Sequence, residues 1–302
     1  MRRLVALLAS ATVAAGGVAG SAVPAYAKDT PPTEAAHAIK TSPYVALGDS
    51  YSSAAGVLPQ IESVAAALCS RSKLNFAEDI AAATHPASFT DVTCSGAKTQ
   101  DFFTSQGAGI APQLDAVSKN TRLVTMTIGG NDEDVFVNSL AACIGASDAA
   151  RQAGQGISGH PCKTAYGTTF THLIRTQTKA NLIKALAAVR AKAPRAKVVI
   201  LGYPRILPDT GVLACYSKMP VSMGDVPYLV HQQKVLNDVI EQAAEETGAR
   251  FVNTFTRGHD ACQAVGTRWI EPFVGNINAA QVHPNATGEQ QMAKFALAAI
   301  RR

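Results

Sequence analysis

The sequence predicts an α/β fold built on an open, doubly wound, mostly five-stranded parallel sheet. Two patterns carry this reading. Five short apolar segments stand out: YVAL (44–47), FTDVTC (89–94), RLVTMTI (122–128), KVVILG (197–202) and RFVNTF (250–255). Near-continuous Val, Ile and Leu runs suit strands covered on both faces. Helical patterns alternate with them, as they must where parallel strands need crossovers.

The helices follow from spacing. In KANLIKALAAVRAKAP, Leu182, Leu186 and Val189 form one stripe, and Pro194 ends it. In LVHQQKVLNDVIEQAAEETG, Leu229, Leu236, Ile240 and Ala243 share a face, and Gly248 suits the cap. NATGEQQMAKFALAAIRR reads as a closing amphipathic helix whose arginines oppose its dipole.

Residues 1–27 read as a secretory signal. Arg2 and Arg3 precede an apolar run from Leu4 to about Val13, and Ala25-Tyr26-Ala27 supplies an A-x-A cleavage site. Residues 28–42 read as a flexible leader and 43–302 as a single domain, undivided by a linker or repeat. A secreted, extracellular monomer without stable membrane insertion is expected, since no later stretch reaches about 20 apolar residues.

The chain carries 27 Lys and Arg against 22 Asp and Glu, for a formal +5. Setting aside Arg2 and Arg3 leaves +3, with no long basic run and few aromatics, so nucleic acid has no support as a partner. Six cysteines, Cys69, Cys94, Cys143, Cys162, Cys215 and Cys262, form no C-x-x-C pair. Zinc ligands are usually closer, and an even count in an exported chain reads as disulfides, so no metal or other cofactor is expected.

Ligands of such sheets gather at the carboxyl ends of strands. There the sequence places Gly48-Asp49-Ser50, Cys94-Ser95-Gly96 and Gly129-Gly130-Asn131-Asp132. All are also ordinary turn residues. As chemistry, however, they supply the parts of a serine hydrolase. Ser50 stands where a strand yields to a helix, with its own N–H at a helix start. Gly96 offers an unhindered N–H, and Asn131 a side-chain amide. The base should be a histidine. Of His37, His85, His160, His172, His231, His259 and His283, the last stands apart, in AAQVHPNATGEQQ. Pro284 would occupy the first turn of the closing helix and hold His283 in a rigid loop.

GDSYSS, SGA at 95–97, GGND at 129–132 and HPN at 283–285 match, in order, the four blocks of the SGNH hydrolases, the GDSL esterases and lipases. CSGAKTQD and RWIEP make the secreted actinobacterial members especially similar. The resemblance implies a flavodoxin-like three-layer α/β/α fold. It implies Ser50 as nucleophile, His283 as base, and an oxyanion hole of Ser50 N–H, Gly96 N–H and the Asn131 amide. It also suggests that the cysteines pair in sequence order. Asp49 would brace the turn.

One position departs from the family. Where an aspartate commonly precedes the histidine by three, this chain has Ala280. Asp260 is distant, and Glu271 is the nearest acid before the histidine. Some relatives are thought to use a main-chain carbonyl there, so the Ala280 carbonyl is expected to orient His283. Trp269 is read as core or cleft wall, Asp132 as a helix cap, and Asn285 as an N-cap although it opens a glycosylation sequon. A G-x-S-x-G elbow is absent.

The expected function is a secreted carboxylic ester hydrolase acting through a serine acyl-enzyme on lipid-like or small acyl esters. Phospholipase and carbohydrate acetylesterase activity share that mechanism. A binding protein on the same fold would have lost Ser50, Asn131 or His283, and all three are present.

Overall fold

The computed structural model describes residues 42–302. Residues 1–27, read as a signal, and residues 28–41 of the expected leader lie outside the described residues. Strands β1 (Pro43–Ala46), β2 (Ser88–Asp91), β3 (Leu123–Met126), β4 (Lys197–Leu201) and β5 (Arg250–Val252) fall on the five apolar segments. Each strand ends before its segment does. The leftover residues leave the ladder and turn into loops at the carboxyl edge, although Leu47 and Asp49 still donate to Thr125 and Thr127.

All pairings are parallel, in the order β2-β1-β3-β4-β5. This is the flavodoxin-like order. Its direction reverses between β1 and β3, which opens a crevice beyond their carboxyl ends.

The helices that frame the sheet and the site are α1 (Ser50–Ser53), α2 (Phe76–Thr84), α3 (Val135–Gln152), α4 (Lys179–Lys192), α5 (Val226–Thr247) and α6 (Ala286–Ile300), besides other short helices and turns. Side chains alternate across a strand, so each strand feeds two cores. Val45, Val124, Met126, Val198 and Ile200 pack against Leu182, Leu186 and Val189 of α4 and Leu236, Ile240 and Ala243 of α5. Tyr44, Ala46, Leu123, Val199 and Leu201 pack against Phe76 and Ile80 of α2 and Met292, Ala296 and Ile300 of α6. The result is the three-layer α/β/α sandwich that the alternating segments imply. Leu186 is fully buried, so Leu186→Ala would cost about 2–5 kcal/mol.

Gly248 caps α5 in a left-handed conformation at φ 70°. At α6 the expectation for Pro284 is corrected, since it lies outside the helix, whereas Asn285 is the N-cap as expected, its Oδ1 accepting from Gly288 N–H at 3.0 Å. The Asn285 amide donates to Arg268 O and Glu271 Oε1. Disulfides join Cys69–Cys94, Cys143–Cys162 and Cys215–Cys262, the pairing in sequence order. Among the described residues, no helix is long and apolar enough to cross a membrane.

Candidate active site

The turn after β1 is built around two residues. Gly48 has φ +126°, and a Cβ there would lie 2.4 Å from both Thr127 O and Ser52 Oγ. Only glycine fits. Gln113 then clasps this peptide group, accepting from Gly48 N–H at 2.7 Å and donating to Gly48 O at 2.9 Å. Asp49 caps α1 by accepting from Tyr51 N–H at 3.0 Å. Its carboxylate also accepts from Thr127 at 2.7 Å and from the Tyr203 hydroxyl. Burial raises the Asp49 pKa to about 6, against the lowering effect of these bonds. Asp49 thus braces the turn, and Ser50 follows as the first residue of α1, almost buried, with its N–H at the helix start.

The turn after β2 is tied down by the Cys69–Cys94 bridge and by Ser95 N–H donating to Cys69 O. Gln106 Nε2 holds the Ser95 carbonyl at 2.8 Å. A trans peptide points its C=O and N–H in opposite directions. Fixing the Ser95 carbonyl on Gln106 therefore fixes the Gly96 N–H away from it. Among the described residues, no protein acceptor takes the Ser50 or Gly96 N–H.

The turn after β3 meets the other two. A Cβ on Gly130 would touch Tyr203 Oη at 2.8 Å, and the Gly130 N–H donates to that oxygen at 2.7 Å. Asn131 anchors one amide hydrogen on Ala97 O at 3.0 Å, leaving the second free for a ligand. Asp132 does not cap its own turn. It accepts from the N–H and hydroxyl of Thr99 at 2.8 and 2.7 Å, binding the second turn to the third. Burial raises its pKa to about 6.

His283 arrives from the C-terminal side. Its Nδ1 lies 2.7 Å from Gln281 O. A carbonyl only accepts, so Nδ1 carries the proton and Nε2 is left as a base. This corrects the expectation for Ala280. The Ala280 carbonyl instead accepts the main-chain N–H of His283 at 3.3 Å, closing a four-residue turn. Val282, third in that turn, has φ +60°. This is the pattern of a type II turn, whose central peptide is flipped relative to type I, and the flip presents the Gln281 carbonyl to the ring.

The loop is pinned on all sides. Tyr51 Oη donates to Val282 O at 2.6 Å. Glu271 and the loop exchange main-chain bonds through Val282 N–H and His283 O. The Glu271 carboxylate is spent on Arg268, Asn285 and Ile277 N–H. Asp260 bonds Cys262 N–H and Gln263, and Asp209 pairs with Arg205 and Arg257. Among the described residues, no carboxylate contacts the His283 ring. Burial lowers the His283 pKa, partly offset by the bond to Gln281.

Ser50, Gly96, Asn131 and His283 line one cleft of about 570 Å³, with Tyr51, Tyr203, Phe136, Leu140, Ile144 and Phe273 as its apolar walls. Among the described residues, no hydrogen bond links Ser50 Oγ directly to the imidazole, a contact that commonly tightens only with substrate. Trp269 lies outside the cleft, stacked on His259 at 4.0 Å and edge-on to Phe295. Among the described residues, no group of acids, cysteines and histidines is arranged to hold a metal ion.

Six residues of this geometry escape sequence reasoning: Tyr203, Gln106, Gln113, Thr99, Thr127 and Gln281. Only Tyr203 had a signal, as the aromatic residue directly after the β4 segment.

The chain resembles known proteins along most of its length. It is 48% identical over 264 residues to Lipase 2 of Streptomyces coelicolor, covering 87% of each chain. The solved phospholipase A1 of Streptomyces albidoflavus superposes with a TM-score of 0.68 at 29% identity, over 86% of this chain and 99% of that one. The extracellular lipase of Streptomyces rimosus gives 0.68 at 28% identity, over 86% and 100%. A family model matches residues 46–291, and the chain belongs to the GDSL-like lipase/acylhydrolase family of ester hydrolases.

Proposed function

We propose that Ser50 and His283 form a catalytic dyad that hydrolyses lipid-like carboxylic esters outside the cell. The observation that carries this is the convergence of Ser50, Gly96, Asn131 and an Nδ1-protonated His283 on one cleft. Ser50 Oγ attacks the acyl carbonyl while His283 Nε2 takes its proton. The carbonyl oxygen becomes an oxyanion, met by Ser50 N–H, Gly96 N–H and the free Asn131 amide hydrogen. As the tetrahedral species collapses, the alcohol leaves with the proton from His283. Water then attacks the acyl-enzyme, His283 taking its proton and returning it to Ser50 as the acid departs. The Gln281 carbonyl holds the ring throughout, and no cofactor is required.

Phe136, Leu140, Ile144 and Phe273 favour an apolar acyl or alcohol group. The lipase names of the relatives support the same class. Export is supported by the signal-like N-terminus and the three disulfides. The test is a series of p-nitrophenyl esters beside phospholipid vesicles and acetylated xylan. A fluorophosphonate label mapped to Ser50 should accompany loss of turnover. Turnover that survives such labelling, or an adduct on Ser52 or Ser95, overturns the assignment.

A further inference from the structure

One exposed aliphatic side chain means little, but the distribution of many carries information. Among the described residues, nine large aliphatic side chains stand between 38% and 80% exposed. All nine lie in strand-to-helix connections, at the end of the sheet that carries Ser50. Four, from Leu58 to Leu74, fall between α1 and α2. Val212 and Leu213 follow β4, and Val265, Val274 and Ile277 follow β5. Among the described residues, helices α2 to α6 and the opposite end of the sheet carry none.

These loops are tied to the turns that form the site. Leu68 adjoins Cys69, whose disulfide partner Cys94 precedes Ser95-Gly96. Leu213 and Val265 flank the Cys215–Cys262 bridge. Val274 follows Phe273 of the cleft wall and donates its N–H to Lys218 O. Ala55, in the loop that leads to Leu58, accepts the Ala280 N–H from the turn that carries His283. Leu58, Val265 and Ile277 line one hollow of about 440 Å³. Aliphatic groups held outward on such a frame keep a hydration cost that burial would remove.

The exposed charges of the same loops cancel locally. Lys73 pairs with Glu62, and Arg257 with Asp209. Lys218 spends its ammonium on the carbonyls of Cys262 and Gln263. An anionic membrane selects clusters of free Lys and Arg. This face presents aliphatic groups without such a cluster, which suits an uncharged or zwitterionic surface. We propose that these loops dock the enzyme on a neutral lipid surface, with the Ser50 cleft at the docked end. The use of that docking in catalysis rests on the reading of Ser50 as nucleophile; the docking itself does not. Each immersed side chain of this size contributes roughly tenfold to partition onto the surface.

The experiment is flotation of the protein recovered from culture medium with vesicles of an ether-linked phosphatidylcholine, which has no ester to hydrolyse. High salt screens surface charge during the measurement. The parent should float. Val64→Ser, Leu213→Ser and Ile277→Ser, one from each connection, should each weaken binding roughly tenfold. All three side chains lie outside the cleft, so kcat/KM for dissolved p-nitrophenyl butyrate should stay within about twofold of the parent. A parent that stays in solution, or that floats only with anionic vesicles at low salt, overturns the proposal. Three folded variants that float as the parent does also overturn it. So does a parent dimer that fails to float and that Ile277→Ser dissociates, which would make the face a contact between copies. Flotation without turnover of any ester keeps the docking face and overturns the dyad. Turnover without flotation does the reverse.

Discussion

Tyr203 Oη joins two of the three turns that form the site: it donates to the Asp49 carboxylate and accepts the Gly130 N–H. Tyr203 stands just beyond β4, Asp49 beyond β1 and Gly130 beyond β3. One hydroxyl therefore sets the distance between the Ser50 turn and the Asn131 turn.

Tyr203→Phe removes both bonds and keeps the ring. Without the Tyr203 donor, which lowers the Asp49 pKa, that carboxyl should become still harder to ionise. The expected result is a kcat lower by about 10–100-fold with KM little changed, and an acidic limb of activity moved to higher pH. A folded variant with parental kcat and an unmoved limb would show that Tyr203 only fills space.

Activity should persist into mildly acidic solution. His283 must be neutral to accept a proton, and burial holds its pKa below the usual histidine value of about 6.5. A base with a lowered pKa stays deprotonated further down, so turnover is lost only as pH falls below that value. Asp49, at about 6, titrates in the same region. The kcat/KM profile should show an acidic midpoint below that of an ordinary histidine. A midpoint at 7 would contradict the burial of the imidazole.

How much of this was visible in the sequence differs from element to element. The stripe of Leu182, Leu186 and Val189 is legible because burying an aliphatic face imposes a 3.6-residue period. Helix α3 is not legible. Its run VFVNSLAACIGASDAARQ is rich in small residues, and it follows Glu133 and Asp134, both at positive φ. Two successive non-glycine residues rarely adopt that conformation, so no start signal is written there. Ser50, Gly96, Asn131 and His283 were legible because each stands at the end of a recognisable element. Gln281 was not, because its role depends on a left-handed turn at Val282, and a β-branched residue there is an outlier.

Asp132 offers a separate test on stability. A carboxyl whose pKa is raised by folding binds more protons in the native state than in the unfolded chain between about pH 4 and 6. Stability from that group is therefore present at low pH and lost as pH rises through about 6. Asparagine does not titrate, and the Thr99 hydroxyl can reverse its bond to meet the new amide. Asp132→Asn should therefore gain on the parent between pH 5 and pH 7, by about 1 kcal/mol. Urea unfolding at the two pH values measures it. A variant that loses ground as pH rises would reverse the sign and refute the raised pKa.

Asn131→Ala probes the oxyanion directly. Its free amide hydrogen matters only once charge develops on the carbonyl oxygen. The kcat should fall by roughly 10²–10³-fold with little change in KM. The anchored hydrogen on Ala97 O complicates a single variant. Asn131→Asp keeps the shape, removes the donor and adds a negative charge, so it should be at least as slow. A near-parental kcat in either folded variant removes Asn131 from the hole.

The carbonyl partner of His283 makes the sharpest claim. Gln281 O accepts from Nδ1, and a main-chain atom survives any change of side chain. Gln281→Ala should therefore keep kcat within about tenfold, although the Gln281 amide also braces Phe273 O at 2.7 Å. A true triad aspartate behaves otherwise, since its change to asparagine costs about 10⁴-fold by selecting the wrong tautomer. Asp209→Asn and Asp260→Asn should likewise stay within about tenfold, because both carboxylates are engaged elsewhere. Glu271→Gln differs in kind. It leaves the buried Arg268 charge poorly paired, so it should cost about 3–5 kcal/mol of stability rather than the tautomer. Rescue by lower temperature separates the two cases. A Glu271→Gln protein that is fully folded in the cold yet down 10³-fold, with an altered acidic limb, would make Glu271 an electrostatic partner of the imidazole. Recovery of near-parental kcat once folded leaves the carbonyl as the group that sets the base.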